Sequence, residues 1–484
     1  MPLPTIPSAV KFCFFLFFAG FAYLHSNAQQ NDIKFSALSA DCYKDKIEQL
    51  KKYVVPKFYT DKSSQAWYDE ILKGRNKDLL SEFEENRVVK DSLLLDKCNE
   101  IFKRIIAANK NFKFDTIHLY INRSVIANAA CYGEGTIMVN MGLFLWIDND
   151  DELALVLGHE ISHQLLNHGD SKIQKSIAML TSEEFIQELK NIKKADYGKF
   201  ERYRKLMKDI NVESGKHSRY KESEADSLGV VLIRNAGYNI ATAAKVLLKL
   251  GKVEELFTSD KLYATKDIFA KTPIEQGYFI TKPKYNGLSS VKVTMNADKD
   301  IDSIKTHPDC VKRYASISGG NTPVPVNCCT VLNSSYKNYK ERAMQELVRN
   351  LYESNKLGLC VHLCFFALQN QYDAATYNYF LSLCFSKLFY KDKNLERFNA
   401  ANAYADPGSN LKEVQDFLFN SSTADLEKLA AYFLSLNPGN NSEDFDFTTM
   451  MYNTEVKMKD ETSAYDSFKH KYPTSKYNYL IQKK

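Results

Sequence analysis

The chain has no large excess of charge of either sign. Among its 484 residues, 64 Lys and Arg face 59 Asp and Glu, a net +5 spread along the whole length. That excludes the basic stripe of a nucleic-acid-binding protein. A disulfide framework is also missing. Of ten cysteines, Cys13 lies in an N-terminal apolar run, and the odd remainder is scattered over a long chain. Long hydrophobic runs are absent apart from Phe12–Leu24, which is short for a membrane span of about 20 residues. With 44% hydrophobic and 25% charged residues, the composition is that of a globular protein. Disordered, collagenous and polytopic membrane classes are excluded.

What is present begins with a targeting segment. Lys11, the run Phe12–Leu24 and the small residues Ser26 and Ala28 before Gln29 make a secretory signal over 1–28. No Cys follows the run, so no lipoprotein anchor is indicated there. The mature protein is expected outside the cytoplasm, periplasmic or secreted, with no transmembrane span.

Residues 29–90 read as a polar helical segment. The sequence then changes character: 112–121 (FKFDTIHLYI) and 136–140 (TIMVN) are β-branched, aromatic strand candidates. A helix is expected over 150–167, its start marked by Asp148, Asn149, Asp150, Asp151 and Glu152. Another is expected over 219–235, closed by Gly237. The stretch 282–325 is turn-rich, and 319–333 is the expected linker. From 334 to 484, helical segments alternate with short Asn, Pro and Gly breaks, resembling degenerate helix pairs of the tetratricopeptide kind. Cys360, His362 and Cys364 sit at helical spacing, but the apolar context of CVHLCFFAL favours packed thiols over a metal site.

The decisive feature is His159-Glu160-Ile161-Ser162-His163. On a helix, positions i and i+4 share a face, so both imidazoles can hold one cation. Glu160 stands beside them as a base for a water. This is the H-E-x-x-H zinc-protease pattern. Catalytic zinc takes three protein ligands and keeps an open position. A third His six residues after His163 is missing, since position 169 is Gly. The alternative is a carboxylate on a second helix. In Glu222-Ser223-Glu224-Ala225-Asp226, Glu222 and Asp226 share a face, while Glu224 points about 200° away. Glu222 is therefore the expected third ligand. Asp226, one turn on, would accept a proton from a ligand histidine, and Glu224 would be a solvated surface acid. His118, His168, His217, His362 and His470 form no second cluster and read as structural or surface residues.

With these motifs the chain resembles the zinc metallopeptidases that include HtpX, the CAAX prenyl proteases, the mitochondrial OMA-type proteases and the periplasmic BepA-like proteases. The likeness runs from about Leu93 to Ile317, through NAACYGEGTIMVNMGL, ELALVLGHEISHQLLNH, ESEADSLGVVLIRNAGYN and THPDCVKR. The resemblance implies Glu222 as third ligand, Asp226 as its helix partner and Gly229 as the family's glycine. It also implies a late-loop pair, His307 and Arg313. His307 would either hydrogen-bond the oxyanion or cap the open zinc position. Arg313 would hold that loop by an ion pair or touch substrate. A strand that pairs with substrate backbone would correspond to Gly135, Thr136, Ile137, Met138, Val139 and Asn140. The stretch Cys131-Tyr132-Gly133-Glu134-Gly135 departs from the family's usual proline and paired glycines. The charged segment 171–209 places the chain with soluble rather than membrane-embedded members.

The expected fold is α+β and mainly helical: a zincin-type catalytic domain over 91–318 with a small sheet and the H-E-x-x-H helix, then an all-α domain over 334–484. The expected function is that of a zinc endopeptidase, one Zn²⁺ per chain, acting on unfolded or extended polypeptides in envelope quality control. The helical tail would bind a protein partner or hold substrate. The alternative is a tail-mediated binding or chaperone protein with an inert zinc site.

Overall fold

The computed structural model describes residues 43–52, 55–195, 197–274, 310–320, 335–402, 406, 408–437 and 442–482; between 204 and 219, only Leu206 has a described side chain. The expected signal over 1–28, His307 and most of the expected linker lie outside this set. The described residues all belong to one unit, 34–484.

Several helices start at a side-chain cap. After α1 (Lys44–Lys51), Asp61 caps α2 (Lys62–Glu84) by accepting from Ser64 N–H. Asp91 caps α3 (Ser92–Ala108). Asn149 accepts from the Glu152 N–H to open α4 (Asp150–Leu165), whose first turn carries Asp150, Asp151 and Glu152 at the positive end of the dipole. Next come α5 (His168–Leu180), α6 (Glu183–Lys194) and α7 (Lys199–Asn235). The last is longer than the expected 219–235 because the charged stretch before it continues the same helix. Then follow α8 (Lys245–Leu250) and α9 (Cys310–Ile317). The tail contributes α10 (Lys337–Glu353), α11 (Leu357–Gln369) and α12 (Ala374–Lys393), followed by shorter helices to residue 482.

The sheet has four short strands: β1 (Val88–Val89), β2 (His118–Asn122), β3 (Ala129–Cys131) and β4 (Thr136–Asn140). Their order is β1-β2-β4-β3, with β2 and β4 parallel and the outer pairings antiparallel. The expected strand over 112–121 is displaced. Its first half is a turn closed by Ile117 N–H to Phe114 O, because Phe114 turns inward to meet Phe102 edge-on. Strands β1 and β3 are too short to show a period of two.

The helix α4 lies beneath β3 and crosses α7. Gly158 and Gly229 meet at this crossing. A Cβ on Gly229 would sit 3.1 Å from the Gly158 carbonyl carbon and the His159 nitrogen. The missing side chains let the two backbones approach closely enough for α7 to face the α4 histidines.

The tail is joined to this core by buried charges. Lys340, fully buried, donates to Asp148 (2.6 Å), and Lys249 bridges Asp148 and Glu152. Arg342 meets Asp91 at 2.5 Å, and Arg123, beside β2, meets Glu353 at 2.8 Å. Tyr336 donates to Asp150 (2.6 Å). Cys98, Cys131, Cys360, Cys364 and Cys384 are free thiols. His362 is bound to the Tyr263 hydroxyl and the Leu256 carbonyl, so it joins no metal cluster with Cys360 and Cys364.

Candidate metal centre and active site

On α4, one helical turn puts His159 and His163 side by side, their Nε2 atoms 3.1 Å apart. Glu222 reaches them from α7, Oε2 lying 3.3 Å from His159 Nε2 and Oε1 3.5 Å from His163 Nε2. Among the described residues these three form the one group of His, Cys or acidic side chains whose donor atoms converge, all within 4.8 Å of one another. Two imidazole nitrogens and one carboxylate, all well shielded, suit zinc with an open fourth position. Glu160 is buried at 3% exposure beside them.

The surrounding groups orient the ligands. His159 Nδ1 is 2.9 Å from Asp226 Oδ1. Arg313, on α9, clamps the same carboxylate through Nε (2.8 Å) and a terminal nitrogen (2.7 Å). It also lies 3.6 Å from Glu222 Oε2. Burial raises the cost of the Asp226 charge, but His159 and Arg313 more than offset it and hold the carboxyl down to about 2. For His159, burial and Arg313 disfavour the cation; hydrogen bonds that it donates to Asp226 and Glu222 and the field of Glu160 outweigh them and hold it up to about 9. Arg313 fixes Asp226, the ion-pair version of its expected role.

Two expectations need correction. The stretch 135–140 cannot receive a substrate strand, because β4 is paired on both sides, with β2 and with β3. The Gly135 N–H is also taken, by Gln164 Oε1 at 3.0 Å. The outer strand on this side is β3. Asn140 N–H to Asn128 O and Tyr132 N–H to Thr136 O mark the hydrogen-bonded pairs. The backbone groups of Ala129 and Cys131 therefore point away from β4. The Cys131 sulfur is 3.5 Å from Gln164 Oε1, one turn from Glu160. Burial pushes its thiol up to about 12, so it stays neutral. The second correction is His168, which lies against His163 rather than apart from the site, with Nδ1 atoms 2.9 Å apart. A histidine five residues after the motif was the only signal. Glu224 is partly exposed, 3.5 Å from His168 Nε2.

Residues 96–320 match peptidase family M48. The mitochondrial metalloendopeptidase OMA1 of Arabidopsis thaliana is 28% identical over 170 residues, 34% of this chain and 32% of that protein. The beta-barrel assembly-enhancing protease of Yersinia pestis is 35% identical over 81 residues, 17% of this chain and 16% of the other. The matched regions thus span a third or less of these relatives.

Proposed function

We propose, from the premise that residues 96–320 are a family M48 peptidase domain, that the chain is a zinc-dependent endopeptidase acting on unfolded or extended polypeptides. The observation that carries this is the convergence of His159, His163 and Glu222 with Glu160 buried alongside. Zinc bound there would supply Lewis acidity to the scissile carbonyl and to a water. Glu160 would take the water's proton and pass it to the leaving amine. Asp226 and Arg313 hold His159 in the required orientation. Substrate backbone would add to the outer edge of β3, at Ala129 and Cys131, a sequence-tolerant mode.

The signal over 1–28 supports an extracytoplasmic location, where misassembled envelope proteins would be substrates and the tail would hold them or a partner. No helix among the described residues is long and apolar enough to cross a membrane. Digestion of an unfolded test protein with and without a chelator tests the reading. Cleavage that stops with chelator and returns with one equivalent of Zn²⁺ is expected. Cleavage indifferent to the chelator, or absent from zinc-replete protein, would refute it.

A further inference from the structure

We infer that His168 is a positioning residue for His163: its Nδ1 accepts the His163 Nδ1 proton and thereby sets the ring that presents Nε2 to the metal. This rests on the zinc reading above.

The geometry is specific. His163 Nε2 faces His159 and Glu222, so its other ring nitrogen must carry the proton when the neutral imidazole ligates a cation. That nitrogen is 2.9 Å from His168 Nδ1, and the rings stand at 71°. His168 must then be the Nε2–H tautomer. Its Nε2 makes no hydrogen bond among the described residues and lies 3.5 Å from Glu224 Oε2.

The chain builds this contact deliberately. Asn167 adopts a left-handed conformation (φ 52°), which Asn tolerates better than most residues. That turn ends α4 and folds the first residue of α5 back over His163. His168 is buried at 6% exposure. Its carbonyl accepts from Lys221 Nζ at 3.0 Å, which ties it to the residue before Glu222. Each ligand histidine thus has its own orienting group, Asp226 for His159 and His168 for His163.

The test compares His168→Phe, which keeps a ring but offers no acceptor, with His168→Gln, whose amide oxygen can still accept. Zinc affinity is read by competition with a chromophoric chelator, and the melting of each zinc-free protein reports its fold. His168→Phe should weaken zinc by about 10–100-fold, the usual effect of losing a ligand's orienting partner, and His168→Gln should recover all but a few-fold. Wild-type affinity in His168→Phe overturns the inference. So does an equal loss in both variants when both zinc-free proteins melt like wild type. Should His168→Phe not fold, ring ¹⁵N spectra of zinc-loaded wild type decide. A coupling across the Nδ1–H···Nδ1 bond supports the assignment, and its absence overturns it. A wild-type protein that binds no zinc would overturn the zinc reading itself. One tightly bound zinc with an indifferent His168→Phe would overturn this inference alone.

Discussion

Ending the chain after Pro325 should leave a catalytic portion that does not fold. The cut removes Lys340, Arg342, Glu346 and Glu353. Asp91, 1% exposed, then loses Arg342, and Arg123, 3% exposed, loses Glu346 and Glu353. With α10 gone, water reaches both Asp91 and Arg123, so only the ion pairs themselves are lost there. The segment 141–145, covered by α10 and fully buried at Met141, Leu143, Phe144 and Leu145, would also be exposed. Fully burying such a side chain is worth about 1.5–3 kcal/mol, so uncovering these four costs up to about 6–12 kcal/mol, against a whole-domain stability of about 5–15 kcal/mol. The assay is expression of residues 29–325 followed by thermal melting and zinc content. A soluble fragment with one cooperative melt and a full equivalent of zinc would refute the reasoning and return the tail to the status of a separate domain.

Three further outcomes are expected. Glu222→Ala should lose zinc on dialysis while Glu224→Ala retains it; equal zinc content in both refutes the ligand assignment. Glu160→Gln should keep zinc and fold but lose peptide hydrolysis by at least about 100-fold, and near-normal turnover in a zinc-replete preparation would place the base elsewhere. The zinc-free protein should lose stability as pH rises from 6.5 towards 9. The His159 pKa is raised when folded, so its contribution is complete below the unfolded value and gone above the folded one. Asp226 has the opposite sign, its contribution lost as pH falls from 3.8 towards 2. Melting curves across pH 6–9 with and without zinc check this: a parallel decline in both forms refutes the His159 assignment, because zinc should replace the proton and flatten the profile.

The metal site was legible because its geometry is local. His159 and His163 lie one turn apart on a helix whose start is marked by four consecutive capping and acidic residues. The Glu222–Asp226 face follows from the same 3.6-residue arithmetic. The chain does not reveal how the two helices meet. That is decided by Gly158 and Gly229, two ordinary-looking glycines 71 residues apart, whose bare backbones let α4 and α7 cross in contact. The tail's attachment was likewise hidden. Lys340, Arg342 and Glu346 look like a solvated charge run on a helix, and only the fold shows that their partners are Asp148, Asp91 and Arg123.

The sheet carries the same lesson into function. TIMVN is the most strand-like stretch near the motif, and for that reason it makes a poor substrate strand. Its apolar residues are buried because it sits between β2 and β3 with both backbone edges engaged. A strand that is to receive a peptide must keep one edge unpaired, and on the side of the sheet beside the zinc helix that condition is met by Ala129–Cys131. These three small residues give little strand signal because they pack closely over α4 instead of filling a core. The weak strand is the one next to Gln164 and Glu160. Gln164 holds the turn between β3 and β4 by the Gly135 N–H and touches the Cys131 sulfur, so one side chain of the zinc helix fixes the height of the edge above the base. Under the proposed peptidase reading, the position of a peptide relative to Glu160 would thus be set by the helix that carries His159 and His163, and the strand that would receive it needs only to be short, small and open.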